Sequence, residues 1–499
     1  MYLSELTPNS MYSKPVSMIH SRTRRLTNRS QPEVKEPMFQ AVTKKVPEGW
    51  PRKMVQASCE FFYLFMETSS IHGFNHLTTR KRSIWEYIIW LAFLIMGTAG
   101  AISISLSTWN RYQENPTVIS LERDSTEWNT TFPSTTICPY NKFSPPAVKK
   151  FAQSTAPDSQ DKMKDFLARL FNATYHSFGQ VPDDPSGKVP PSEYVAVTYD
   201  NRYIFQYKVV DSVDGAPSSV IDHQTEMGLC YSYNSAIAVY NSPLVWLKKK
   251  PVRKDVRIIS GNNLDGDLFS QIMEMNSPVT VYIHDSWEIP DCATRKLFLP
   301  DLKYKTLDMS ALSVTISEET MKLSVRQRKC RLFEESNLEL SPVYSYNLCR
   351  MECRMKQALK LCKCVPYFYK PLPNLKVCDP GGMRCLSKYT ETLIRLQEPN
   401  SNDEKQIDCQ CLPSCEAVNY VIEMQSDMPW FLGTNFKWSL TRYPLMRLKR
   451  DVLFGFTDVL VSIGGTAGLF LGCSILSFME IFYFFTLRLF FHIIGWKKK

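Results

Sequence analysis

The chain has no Walker loop, no HExxH zinc-protease motif and no Gly-x-Ser-x-Gly nucleophile elbow. The catalytic constellations those motifs build are therefore missing, and an enzyme is not expected. It also lacks paired CxxC units, and lone His284 has no second ligand at a useful spacing, so neither zinc nor another metal is expected. The opening residues, Met1-Tyr2-Leu3-Ser4-Glu5-Leu6, hold no apolar leader core, which argues against a cleaved signal peptide. Between the two long apolar runs, 84–106 and 452–496, there is no third run long enough to span a membrane.

Those two runs set the organisation. A bilayer is crossed by about 20 apolar residues. The first run fits one helix, whereas the second is too long for a straight span and must tilt, break or project. Basic residues Arg80, Lys81 and Arg82 precede the first run, and Lys497, Lys498 and Lys499 end the chain. The positive-inside rule puts both clusters in the cytoplasm, although Arg447, Lys449 and Arg450 lie on the outer flank. The expected layout is a cytoplasmic region 1–83, a first transmembrane helix 84–107, an extracellular domain 108–450, a second transmembrane segment 451–491 and a cytoplasmic tail 492–499. The net charge of +10 owes much to the N-terminal region. It reads as orientation and attraction to anionic lipid, with no nucleic-acid partner.

Cysteine placement agrees with this topology. Thirteen of the 15 cysteines fall within 108–450, leaving Cys59 and Cys473 elsewhere. Dense cysteine in an exported domain indicates disulfides. Sequons at Asn129 and Asn172 are candidate glycosylation sites, and the one at Asn28 would be cytosolic and unused.

Along the chain, 1–50 is polar without an apolar period and is expected to be disordered. Residues 54–78 hold Phe61, Phe62 and Phe65 before Ile71-His72-Gly73, an interfacial helix leading to a turn. Strands are expected at 131–138, 228–234 and 279–284, and one helical stretch near 163–170. Ten cysteines between 330 and 415 permit hundreds of pairings. Cys349 and Cys353, at i and i+4 on a helix over 346–361, are about 6 Å apart. Cys409 and Cys411, alternating on a strand, are about 6.6 Å apart. The matched spacing favours Cys349–Cys411 and Cys353–Cys409, enclosed by Cys330–Cys415, with Cys362–Cys385 and Cys364–Cys378 nested inside. If Cys138 pairs with Cys230, Cys292 is left free or bonded to another chain.

The second apolar run contains Ile463-Gly464-Gly465-Thr466-Ala467-Gly468-Leu469-Phe470-Leu471-Gly472-Cys473-Ser474. Gly464, Gly468 and Gly472 share a helix face that admits close backbone approach. Gly472-Cys473-Ser474 gathers small residues where a helix can open its carbonyls to water. Glu480, an intramembrane carboxylate, is a functional candidate. At the outer end, Asp451 and Asp458, seven apart and so on one helix face, would concentrate cations, with Ser462 one turn further in.

These pieces together resemble the degenerin/epithelial sodium channel superfamily, which includes the acid-sensing ion channels. The match covers about 60–490 and looks most like the arthropod pickpocket branch. It rests on His72-Gly73, Phe132-Pro133 with Thr136-Ile137-Cys138, 228–234, Ile283-His284, the ten-cysteine block, Val365 to Tyr369, and Gly464-Gly465 through Ser474 with Glu480. The resemblance implies an α+β membrane protein in which two transmembrane helices flank a disulfide-rich extracellular domain. A β-sheet palm (131–138, 279–284 and 416–424) would be braced by a helical thumb. Three copies would assemble in the plasma membrane, as a homotrimer or with related subunits, both termini cytoplasmic. By the same resemblance, Gly472, Cys473 and Ser474 form the selectivity filter and His72-Gly73 the cytoplasmic gating motif. Gly468 falls at the position of amiloride block, and Val461 at the site where bulk favours opening. Ser462 stands where the family carries an acidic or amide residue, and Asp458 would supply that charge. The function implied is passive conduction of Na⁺ without a cofactor, gated through the extracellular domain, with an extracellular ligand open. A regulatory, non-conducting subunit and a two-span receptor are the alternatives, and the pore-region glycines with Glu480 argue against the receptor.

Overall fold

The computed structural model describes residues 60–79, 83–123, 128–153, 157–212, 220–248, 257–398, 406–488 and 490. The expectations for 1–50, Asn28, Cys59, Arg80 to Arg82, the tail 492–499 and its lysines lie outside the described residues. The chain divides into two compact units, Ile102–Gly465, and Met1–Ala101 together with Thr466–Lys499.

The larger unit is built on alternating strands. Lys303–Ile316 is the longest. Leu307, Met309 and Ala311 point inward from it while the residues between them are more exposed, the period of a half-buried strand. Ala417–Pro429 pairs antiparallel along one edge of it, and Thr434–Arg442 and then Arg447–Val452 run parallel along the other. With Thr117–Glu122, Leu268–Met275 and Lys208–Asp211 they form a seven-stranded sheet. A second sheet of five antiparallel strands orders Leu297–Leu299, Val279–His284, Ser134–Pro139, Gly228–Tyr233 and Ile221–Thr225. Fully buried Trp438 packs with Phe436 and Phe132, and its indole N–H donates to the Pro133 carbonyl at 3.1 Å. Burial of each such ring contributes about 1.5–3 kcal/mol.

Helix Tyr346–Cys362 begins where the Ser345 hydroxyl accepts from the Leu348 N–H and ends at left-handed Lys363. Six disulfides join Cys138–Cys230, Cys330–Cys415, Cys349–Cys411, Cys353–Cys409, Cys362–Cys385 and Cys364–Cys378. Cys292 is unbonded. It packs against the helical core, its N–H donates to Glu226, and burial with the Glu226 charge holds its thiol well above the ordinary range. A bond to another chain would have to draw it out of that packing.

Several elements differ from the sequence reading. Three helices, Pro145–Ala152, Gln160–Phe171 and Tyr194–Asp200, occupy the stretch where one was expected. Proline at the first turn of Pro145–Ala152 reads as a loop signal but also opens helices. Cys409 and Cys411 do not lie on a paired strand: Gln410 between them is left-handed, its N–H turned to Asp408. The first apolar helix runs Ile84–Glu114, past 107, until Asn115-Pro116 stops it. Among the described residues it is the one helix long and apolar enough by itself to cross a membrane. Phe456–Leu471 and Ile475–Arg488 meet that test as a pair bent by 77°.

Two histidines share a buried face of the five-stranded sheet. His284 Nε2 lies 2.7 Å from the Thr136 hydroxyl, as expected of a structural histidine. Neither ring nitrogen of His223 meets a partner at hydrogen-bonding geometry. Burial pushes the two down, to about 4 for His284 and about 3 for His223, the latter also repelled by His284. The unfolded chain takes up protons below 6.5 that the native state refuses, so these groups lose stability as pH falls from 6.5 toward 3. Buried Glu288, raised to about 7, acts in the opposite direction between 7 and 4.5. The informative quantity is therefore a difference between variants. His223→Leu is expected to be within about 1 kcal/mol of wild type at neutral pH, since no hydrogen bond is lost. It should gain on wild type steadily below pH 6.5, as read by thermal unfolding of the purified protein across pH.

Candidate functional site

The site lies in the smaller unit, where the second apolar segment stops being one helix. Phe456–Leu471 ends at Gly472, whose φ of +63° is left-handed, a conformation glycine adopts without the Cβ penalty of other residues. The Gly472 N–H returns to the Gly468 carbonyl at 2.9 Å, and the Cys473 N–H to Ala467 at 3.3 Å. The next helix, Ile475–Tyr483, starts two residues later with a reciprocal cap. The Ser474 hydroxyl accepts from the Ser477 N–H at 3.3 Å, and the Ser477 hydroxyl accepts from the Ser474 N–H at 3.1 Å. Cys473 is buried, with Sγ 3.8 Å from the Leu471 carbonyl, while Ser474 is exposed. Of the three small residues, Ser474 is therefore the one whose side chain is presented.

The N-terminal turn closes on this break. His72 donates its N–H to the Leu471 carbonyl at 3.0 Å. The His72 ring lies so near Gly472 that a Cβ there would fall on it. Gly73, at φ +98°, precedes the short helix Phe74–Thr78. Two residues before the histidine, Ser70 donates its N–H to Glu480 Oε2 at 3.2 Å, and its hydroxyl lies 2.8 Å from both Glu480 Oε2 and Ser477 Oγ. The helix over 60–68 places Phe61 and Phe65 against Phe484, with Phe74 and Phe485 completing the cluster. From the first apolar helix, Gly97 and Gly100 admit Phe470: a Cβ at Gly97 would stand 3.1 Å from its carbonyl, and one at Gly100 2.8 Å from its ring.

The remaining expected residues belong to the larger unit or its edge. Asp458 is exposed in the first turn of its helix and accepts the Gly455 N–H at 2.8 Å. Val461 is 69% exposed. Ser462 Oγ lies 3.5 Å from Thr108 Oγ1. Among the described residues, nothing outside the helix's own neighbouring backbone comes within 4 Å of a Cβ added at Gly464 or Gly465. Asp451 corrects the sequence reading. It sits in strand Arg447–Val452 with Ser120 donating to it at 3.3 Å, so it shares no helix face with Asp458. The helix begins at Phe456 because the five residues before it are taken by strand pairing and a bend.

The structure thus brings together His72, Gly73, Gly472, Ser474 and Glu480. It adds Ser70, Ser477, Gly97 and Gly100, which the sequence reading did not single out. Serines three apart announce no reciprocal cap unless the helix start is known. Small residues three apart in an apolar run were the available signal for Gly97 and Gly100. Among the described residues no cluster of three His, Cys, Asp or Glu side chains is arranged to hold a metal ion.

The family described as amiloride-sensitive sodium channel matches residues 65–484. Pickpocket protein 11 of Drosophila melanogaster is 25% identical over 452 residues, covering 86% of this chain and 76% of that protein. Sodium channel protein Nach of Drosophila ananassae is 21% identical over 461 residues, 85% and 86% of the two chains. Human acid-sensing ion channel 2 is 22% identical over 467 residues, 84% and 85%. Among solved structures, a proton-activated chloride channel aligns with 80% of this chain and 96% of its own at a TM-score of 0.22 and 7% identity, too low to bear on the fold.

Gly472→Ala should cost at least about 1–2 kcal/mol from the left-handed backbone alone, and more from collision with His72. Combining it with His72→Ala should recover the collision part and leave the backbone part. Thermal unfolding of the detergent-solubilised single and double variants separates the two.

Proposed function

The chain belongs to the amiloride-sensitive sodium channel family, and from that premise we propose that it is a subunit of a sodium-preferring, amiloride-sensitive cation channel built of three related chains. The family and the relatives are channels, not enzymes. In this reading, Ile84–Glu114 and the bent pair Phe456–Arg488 are the two spans, both termini are cytoplasmic, and the disulfide-bonded region between them is extracellular.

The observation that supports conduction best is the interruption of the helix at Gly472 to Ser474. A passive anchor gains nothing from ending a helix inside an apolar run, since each broken helix end has to be satisfied without water. Here the second helix opens on a reciprocal serine cap, carbonyls of the first are met by Gly472, Cys473 and His72 N–H groups, and the Ser474 side chain stays exposed at the break. Na⁺ would pass by exchanging its hydration for main-chain carbonyl oxygens of 472–473 and the Ser474 hydroxyl, without a bound cofactor. The open sides of Gly464 and Gly465 suit close approach of neighbouring copies. Asp458, at the outer end of the same helix, would raise the local cation concentration: its cap uses one carboxylate oxygen, and the group stays exposed. Val461, Ser462 and Gly468 line the path between, as blocker and gate positions. His72-Gly73 holds the inner side.

The test is expression in a cell lacking such channels, with surface delivery checked in parallel and current recorded in external sodium with and without amiloride. An amiloride-sensitive inward current that falls on sodium replacement is expected. Current that appears only with a related subunit would instead make the chain a heteromeric or regulatory subunit. In a conducting channel, Asp458→Asn should lower single-channel conductance or blocker affinity at low ionic strength, and unchanged currents would remove Asp458 from the pore.

A further inference from the structure

Gly97 and Gly100 form a notch in helix Ile84–Glu114, and Phe470 fills it. Residues three apart are neighbours on a helix surface. Leu94, three before Gly97, continues the row toward the N-terminal turn, where its Cδ1 would stand 3.3 Å from a Cβ on Gly73. The two glycines meet different parts of Phe470. A Cβ on Gly100 would come 2.8 Å from the ring, at Cε1, and one on Gly97 would come 3.1 Å from the carbonyl oxygen. That carbonyl has left the helix ladder. The N–H that would ordinarily close on it is that of Ser474, which donates to Ser477 Oγ at 3.1 Å instead. The Gly97 hydrogen that stands in place of a Cβ points at the released oxygen, a C–H···O contact of the kind found where helices touch. Phe470 lies two residues before the break, so seating it fixes the rotation at which helix Phe456–Leu471 arrives there. At about 100° per residue, Gly468 lies about 160° and Val461 about 180° around the helix from Phe470. Gly464 and Gly465 fall within roughly 60° of that opposite side. It is the open side: Val461 is 69% exposed, and a Cβ at Gly464 or Gly465 would meet nothing among the described residues beyond the helix's own neighbouring backbone.

We propose that Gly97 and Gly100 are positioning residues for cation selection: by seating the carbonyl and the ring of Phe470 they fix the rotation of the second apolar segment at its break, so that its glycine face is turned to the ion path. The inference rests on the channel reading above and extends it to two residues of the first helix. The ligand class is a small monovalent metal cation, whose selection depends on the placing of the oxygens that replace its water. Neither glycine touches the ion. Each acts through Phe470 on the oxygens of Gly472 to Ser474, which follow directly in the chain.

The experiment measures reversal potentials with sodium and then potassium outside, using the full chain, alone or with the subunit it requires, with surface delivery checked. Gly97→Ala and Gly100→Ala should each lower the Na⁺/K⁺ permeability ratio by roughly threefold, the order of one weakened polar contact. Phe470→Ala, which empties the notch, should lower it as well, and it separates the two glycines. In that background Gly100→Ala should change the ratio no further, because the ring it would strike is gone. Gly97→Ala should still lower it by the same factor, because the carbonyl remains. Smaller currents at an unchanged reversal potential in both glycine variants would overturn the proposal and leave the notch as helix packing. A Gly100→Ala loss that is undiminished without the ring would overturn it too. If Gly97→Ala does not reach the surface, the pair Gly100→Ala and Phe470→Ala decides by itself. Wild type at the surface without current, alone and with related subunits, would remove the channel reading and this inference with it. Wild-type current with an unchanged ratio in the variants removes this inference alone.

Discussion

A helix interrupted within an apolar segment leaves backbone N–H and C=O groups that lipid cannot satisfy. In the channel reading proposed above, that constraint governs the smaller unit. Gly472 and the Ser474–Ser477 cap satisfy part of the groups at the two helix ends, and the Leu471 carbonyl is answered by His72 from the far end of the sequence. The N-terminal turn is thus a structural part of the break. Its own geometry depends in return on Gly472, because the space taken by the His72 ring exists only where a Cβ is missing. The aromatic cluster of Phe61, Phe65 and Phe484 holds the helix that delivers the turn, and Ser70 fixes the turn to the second helix at Glu480.

How far this was legible depends on what kind of signal each residue carries. A glycine ladder in a long apolar run, a serine after the break and a carboxylate inside it are rare enough in lipid to stand out from one sequence. Ser70 and Ser477 carry no such signal: a serine is informative only when its partner is known, and here the partners are 407 and 410 residues away. The second apolar run marks an apolar helical segment but not where its helix begins. Asp451 was assigned to the helix face because the hydrophobic stretch starts beside it, whereas strand pairing with Thr117–Glu122 claims that residue. In the larger unit, the short strands bounded by Pro139 and Pro290 were readable. Lys303–Ile316 was not, since Lys303, Lys305, Asp308 and Ser310 interrupt its apolar residues and its alternation is clear only once its partners are seen. The interval between Cys349 and Cys353 was legible because a helix fixes it. The geometry around Cys409 and Cys411 was not, because the left-handed Gln410 follows no repeating pattern.

The larger unit poses a separate question, which is why it buries charge when it already has six disulfides. Arg354 is fully buried between Glu226, at 2.9 Å, and Asp291, at 2.5 Å, and donates to the Leu393 carbonyl at 3.1 Å. Tyr369 donates to Glu226 at 2.5 Å, and Tyr175 lies 2.7 Å from Tyr369. Desolvation and Coulomb attraction nearly offset one another in such networks, so stability is a weak reason for it. In the chain-entropy account a disulfide closing the 62-residue separation of Cys349–Cys411 contributes about 4 kcal/mol, more than the network is expected to add. The disulfides, however, mostly join the helical region to its own return segment between 330 and 415. None of them ties helix Tyr346–Cys362 to the five-stranded sheet. Arg354 does: Glu226 is in the turn between two strands of that sheet, and Asp291 follows Val279–His284. An apolar replacement could pack in many orientations, whereas a guanidinium with two carboxylates and a carbonyl around it has one good arrangement. The network therefore sets the angle at which the disulfide-braced helix meets the sheet, and the disulfides keep that helix rigid enough for the angle to matter.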